Sequence, residues 1–220
     1  MAIPKLRATA ATERGGRSND PEGVKRNILE VATAEFAANG FSGARVDEIA
    51  ALTRTSKRMI YYYFNSKKGL YLAVLENAYR NIREVEAGLD LDSLHPEMAM
   101  KALVGYTFDY QNAHPEFVRL VMIENIHEAV HLRNSKAIQN LNIRIIDSLK
   151  RIIARGQRAG SFRKGLDPID LHLTISALAF FNVSNKATFS AIFNVDMGSM
   201  KALAIRRAQV VDVVMRYVLS

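Results

Sequence analysis

The chain contains no cysteine, so disulfides and thiol chemistry are excluded. No apolar run reaches the length needed to span a bilayer, and the first residues lack the apolar stretch of a signal peptide. The expectation is a cytoplasmic protein with no membrane contact. Alternating strand patterns are missing from residue 96 onward, where only helical spacing occurs. Neither a G-x-S-x-G sequence nor a phosphate-cradling glycine loop is present. These absences favour a binding protein over an enzyme, with no cofactor required.

What is present is a substantial apolar content and a basic surplus. Hydrophobic residues make up 49% of 220 positions, enough for a real core. The net charge is +8 and uneven. Residues 1–68 hold 12 Lys/Arg against 7 Asp/Glu, net +5, while the remaining 152 hold 18 against 15, net +3. More than half of the surplus therefore lies in under a third of the chain, as a footprint for phosphate would.

That basic segment contains two short helical patterns around a break at Thr53-Arg54-Thr55. Val46, Ile49 and Ala50 fall at i, i+3, i+4 in the first; Ile60 and Phe64 lie one turn apart in the second. An apolar side on each of two short helices is what a helix-turn-helix requires. The other side of the second carries Lys57, Arg58 and Tyr62, beside Tyr61 and Tyr63, with Lys67 and Lys68 just beyond. Basic and hydroxyl-bearing side chains on a slender helix suit a major groove.

The run from Ile28 to Leu70 resembles the DNA-binding domain of TetR-type transcriptional repressors. The residues that carry the resemblance are Ile28-Leu29, Ala32, Phe36-Ala37, Gly40-Phe41, Val46, Ile49-Ala50, Ser56, Ile60-Tyr61, Tyr63-Phe64, Lys67 and Leu70. They agree in order and spacing without a gap. Two features depart from the family pattern. Arg54 and Arg58 stand where glycine is frequent, so Arg54 must hold the turn without a residue that tolerates positive φ. Ala44-Arg45 stand where Ser or Thr usually caps the second helix, which puts that capping bond in question.

The resemblance implies an all-α dimer in three parts: a basic arm over residues 1–19, a helix-turn-helix domain over 20–66, and a ligand-binding and dimerisation domain over 67–220. It implies a repressor that reads a palindromic duplex operator with one recognition helix per subunit. A small molecule, apolar or aromatic, releases it. The candidate DNA contacts are Arg45, Arg54, Thr55, Ser56, Lys57, Arg58, Tyr61, Tyr62, Tyr63 and Lys67. Lys57, Arg58 and Tyr62 are the expected base readers; Tyr61, Tyr63 and Lys67 are the expected phosphate contacts, with Tyr61 alternatively in the core. In the arm, Lys5, Arg7, Arg14 and Arg17 either reach a neighbouring groove or form a solvated tail.

Punctuation marks the remaining elements. Asp20-Pro21 starts a first helix that Asn39-Gly40 stops. Ser66 caps a long helix from Lys67 to about Ala87, which joins the two domains rigidly. Further helices are expected over Met98–Ala113, Phe117–Val130, Ser135–Ala159, Asp167–Asn185 and Ser199–Val218, with a polar, aromatic loop after Asn185. The last two are apolar on two faces each, and helices of that kind need two neighbours. They are the expected dimer interface. Candidate effector-site residues are Tyr106, Phe108, Tyr110, Phe117, Met122, Asn125, Phe180, Phe181 and Asn182, each of which helical spacing alone fits equally to core packing.

One pattern competes. His127-Glu128-Ala129-Val130-His131 spells H-E-x-x-H, which on a helix sets two histidines on one face for zinc. It supports an alternative reading as a helical metal-dependent protein, a sensor using Glu124, His127 and His131 or a hydrolase. A third ligand of matching context is missing, since the later histidine, His172, falls in the expected dimer helix.

Overall fold

The structure, a computed structural model, describes residues 20–133 and 135–220. The candidate arm contacts Lys5, Arg7, Arg14 and Arg17 lie outside the described residues. Within the described residues ten helices follow in order: α1 Pro21–Gly43, α2 Val46–Leu52, α3 Lys57–Phe64, α4 Lys67–Ala87, α5 Pro96–Ala113, α6 Pro115–Ile126, α7 Lys136–Arg158, α8 Pro168–Ser184, α9 Lys186–Phe193 and α10 Met200–Val218. Among the described residues the only extended pairing is an isolated bridge between Phe162 and Leu219.

Caps set most boundaries. The Asp20 side chain accepts from Gly23 N–H at 2.9 Å, with Pro21 in the first turn. Ser66 does the same for Gly69 N–H at 3.0 Å, opening α4. Asp167 accepts from Ile169 and Asp170 at the start of α8. Each removes an orphan N–H from a helix start. Gly40, at φ 68°, breaks α1 three residues before its end.

Two boundaries differ from the sequence reading. The helix expected to run to Val130 ends at Ile126, because Glu128 (φ 55°) and Ala129 (φ 56°) are left-handed. The loop expected after Asn185 contains a further helix, α9, in which no residue is buried. Phe189, Ile192 and Phe193 fall at i, i+3 and i+4, but α9 is only eight residues long and has no side-chain cap to mark its start.

Three cores hold the helices together. Ile28, Phe36, Val46, Ile49, Ile60 and Phe64 join α1–α3, and Leu70, Tyr71, Val74 and Leu75 of α4 pack into the same cluster. That cluster also takes in Leu120 of α6 and Ile138 of α7. The helix-turn-helix is therefore mounted on the first half of α4 and braced by α6 and α7. A second core joins α5, α7, α8 and α10 through Leu103, Phe108, Leu149, Ile152, Ile175 and Val214. A third, with Ile82, Tyr110, Phe117 and Val118, lies at the other half of α4.

The outer faces of α8, α9 and α10 stay apolar and exposed. Leu173 and Phe181 on α8, Ile192 and Phe193 on α9, and Met200, Ile205 and Val213 on α10 point to solvent. On α10, Val218 is buried with Val210 and Val214, whereas Tyr217 turns outward.

Candidate nucleic-acid interface and internal cavity

The turn between α2 and α3 is built from backbone hydrogen bonds. Thr55 N–H donates to Ala50 O at 3.0 Å, and Arg54 N–H donates to Ala51 O at 3.2 Å. This is a Schellman closure of α2, and it places Arg54 in the left-handed region at φ 52°. Glycine adopts that conformation without a Cβ clash; arginine does so at a cost. Thr53 Oγ1 tightens the turn by donating to Ile49 O at 2.7 Å.

The start of α2 has no side-chain cap from Arg45. Glu35 of α1 instead holds the N-cap residue itself: its Oε1 accepts from Arg45 N–H at 3.0 Å. A carboxylate there also suits the positive end of the helix. At α3, Ser56 Oγ accepts from Met59 N–H at 3.1 Å.

With Ile60 and Phe64 buried, the opposite face of α3 is fixed. Arg58 and Tyr62 stand outward on it, and Tyr62 is 74% exposed. Arg45, Arg54, Ser56 and Tyr61 are exposed, while Thr55 is half-buried. Tyr61, at 37% exposure, is outside the core. Tyr63 is half-buried against the core, with its ring edge-on to Tyr62 at 5.4 Å. Two lysines are already engaged. Lys57 Nζ pairs with Asp47 at 3.0 Å, and its hydrogen bond to that carboxylate holds the ammonium pKa above its ordinary value. Lys67 Nζ donates to Ser42 O at 3.2 Å and sits 5.2 Å from the Phe41 ring centre.

The H-E-x-x-H pattern does not form the helical arrangement that zinc binding by it requires. Two left-handed residues separate its histidines. His131 turns inward: its Nδ1 lies 2.9 Å from Glu124 Oε1, and the buried Glu124 carboxylate also accepts from the N–H groups of His131 and Leu132. The His131 ring packs against Phe41 and Tyr71 at 4.6 and 4.9 Å. Glu124 and His131 thus pin the turn after α6 onto the helix-turn-helix core. His127 remains exposed.

A cavity of about 410 Å³ opens among α4–α8. Its apolar walls include Tyr79 and Ile82 of α4, Phe117 and Val121 of α6, Ile146 of α7 and Phe180 of α8. Arg83, Thr107, Gln111, Asn142, His172 and Ser176 supply polar atoms. Arg83 is bound on two sides, by Glu86 and, through Nε at 3.2 Å, by Asn142 Oδ1. Burial raises the Glu86 pKa while the Arg83 charge pulls it down. Burial, with the nearby Arg83 charge, pushes His172 down to about 4. Gln111 is only 4% exposed, and its Oε1 has no hydrogen-bond partner.

Of the sequence-derived candidates for this site, Phe117 and Phe180 line the cavity. Tyr106 and Tyr110 belong to the adjoining aromatic cluster; the Tyr106 hydroxyl donates to Ile82 O at 2.8 Å. The others lie elsewhere. Phe108 is in the α5–α10 core, Asn125 is exposed at the end of α6, and Met122 faces a different groove. Phe181 and Asn182 border a smaller cleft with Phe189. The polar lining from α4, α5, α7 and α8 had no motif to announce it. His172, assigned by spacing to the dimer face, belongs to this wall.

The fold and these sites define a DNA-binding regulator of the helix-turn-helix class with an internal cavity. Residues 28–74 match the model of bacterial regulatory proteins of the tetR family, and residues 96–214 match the tetracyclin repressor-like C-terminal domain. The chain belongs to the TetR family of transcriptional regulators. It is 37% identical over 190 residues to the HTH-type transcriptional repressor NicS of Pseudomonas putida, covering 86% of this chain and 90% of that one. A transcriptional regulator of Streptomyces coelicolor, SCO4942, superposes with a TM-score of 0.66 at 29% identity, covering 89% and 98% of the two chains. A regulator from Saccharomonospora viridis, solved in complex with choline, shares the fold at a TM-score of 0.69 and 19% identity, covering 90% and 99%. Members of this family are in general not enzymes. Among the described residues no helix is long and apolar enough to cross a membrane.

Proposed function

We propose that the protein is a cytoplasmic, dimeric repressor that a small molecule releases from a palindromic operator. In this reading residues 20–66 form the reading head and residues 67–220 the ligand-binding and dimerisation unit. Arg58 and Tyr62 read base edges from α3, with Lys57 beside them once it leaves Asp47. Arg45, Arg54, Thr55, Ser56, Tyr61, Tyr63 and Lys67 hold phosphates on either side. A second copy covers the exposed apolar faces of α8, α9 and α10 and sets the two α3 helices about 34–36 Å apart, or a multiple of it.

The observation that carries this reading is the double duty of α4. Its first half, through Leu70, Tyr71, Val74 and Leu75, is part of the helix-turn-helix core. Its later turns, through Tyr79, Ile82 and Arg83, wall the cavity. A ligand that fits the cavity better in one position of α4 shifts the reading head with it. Complete switching needs about 5.5 kcal/mol of preference between the two states. The effector is a small apolar or aromatic molecule, suited to walls of Tyr79, Phe117 and Phe180.

Fluorescence anisotropy with labelled genomic duplexes at two salt concentrations tests the proposal. Binding that is selective, falls with added salt and is lost on adding an effector supports it. Equal binding to all duplexes, or none, removes it.

A further inference from the structure

Two neighbouring cations open α3, and they are not equivalent. Lys57 Nζ is held by Asp47 of α2, at 3.0 Å from Oδ1 and 3.1 Å from Oδ2. Arg58 is exposed and, among the described residues, has no acidic partner within ion-pair distance. The pair follows from how the two helices start. The first turn of α3 has no acidic residue of its own, and the positive end of a helix favours a nearby anion. Asp47, in the first turn of α2, supplies one from across the turn. Both side chains keep about half of their surface in water, 46% for Lys57 and 58% for Asp47. An ion pair so exposed opens readily.

What opens it depends on what the duplex offers. A phosphate gives Lys57 little that the Asp47 carboxylate does not already give, and the carboxylate itself repels phosphate. A base edge at the right place adds directed acceptors that repay the opening.

We propose that Asp47 is a specificity-determining residue: it withholds Lys57 from the sugar-phosphate backbone and so lowers the affinity for unrelated duplex, a role that rests on reading α3 as the groove-reading helix. Arg58 stays free to engage any site. Lys57 joins only in the matched complex, so its charge adds to discrimination and not to general adhesion.

The test is fluorescence anisotropy on the full chain, with a random-sequence duplex and with a duplex recovered by genomic selection. Asp47→Asn is expected to bind the random duplex about three- to fivefold more tightly, in keeping with the loss of an exposed ion pair. Its salt slope should steepen by about 0.9, the signature of one further phosphate contact. The gain on the selected duplex is smaller, so the ratio of the two affinities falls. Asp47→Ser, which also suits a helix start, should behave in the same way. A cycle with Lys57→Met separates masking from plain repulsion. In that background Asp47→Asn should gain less than about twofold and leave the salt slope unchanged. Unchanged or weaker binding of the random duplex, an equal gain on both duplexes, or a full gain in Lys57→Met overturns the role of Asp47. A parent chain that selects its sites while Asp47→Asn gains nothing removes that role alone. A parent that binds no duplex removes the reading of α3 and this role with it.

Discussion

Arg54 shows how a single residue trades stability for charge. It closes α2 in a left-handed conformation that glycine would adopt freely. Arg54→Gly should relieve about 1 kcal/mol of strain and raise the melting temperature, while weakening DNA binding through loss of a cation near the phosphates. Thermal denaturation and anisotropy check the two halves separately; a variant less stable than the parent contradicts the strain. His172 gives a pH signature. Its pKa is depressed from 6.5 in the unfolded chain to about 4 in the fold. The unfolded state therefore binds the proton first, so the folded protein loses stability as the pH falls from about 6.5 towards 4. The loss is up to about 3 kcal/mol. Urea denaturation at pH 7 and pH 4.5 should show a smaller acid loss in His172→Gln than in the parent. Equal losses would place His172 in a solvated environment.

Among the elements, helix starts were legible because their caps are local. Asp20-Pro21, Ser66 and Asp167 act within three residues of sequence, and the recognition helix followed from Ile60 and Phe64 facing inward. What sequence could not supply was tertiary. Phe108 and Phe117 have the same helical spacing, yet one fills a core and the other walls a cavity. The carboxylate that holds the residue before α2 comes from Glu35, ten residues away on another helix. The end of α6 rests on Glu128 and Ala129 being left-handed, which neither residue type signals. That turn is the element to test. His131→Ala removes the hydrogen bond to the buried Glu124 and two aromatic contacts with the helix-turn-helix core, to Phe41 and Tyr71. It should cost about 1–3 kcal/mol in urea denaturation, with His131→Gln recovering part. No loss would mean that the turn does not brace the helix-turn-helix.

At the scale of the whole molecule, the account needs two copies. The exposed apolar side chains of α8, α9 and α10 form a face that a lone soluble chain rarely leaves open. Light scattering at micromolar concentration should report a dimer, and Leu173→Lys should shift it towards monomer and weaken operator binding together. A parent chain that scatters as a monomer contradicts the arrangement. In the proposed mechanism, a ligand in the cavity acts through α4 on the spacing between the two α3 helices.

The most direct measurement is selection of duplexes from a genomic library, followed by affinity measurements with Arg58→Ala. The account predicts enriched sites with two inverted half-sites whose centres lie one helical turn, or a multiple of it, apart. Arg58→Ala should flatten the preference for those sites while the salt dependence of binding persists. Recovery of no common site, or an Arg58→Ala protein that ranks the duplexes as the parent does, would contradict it.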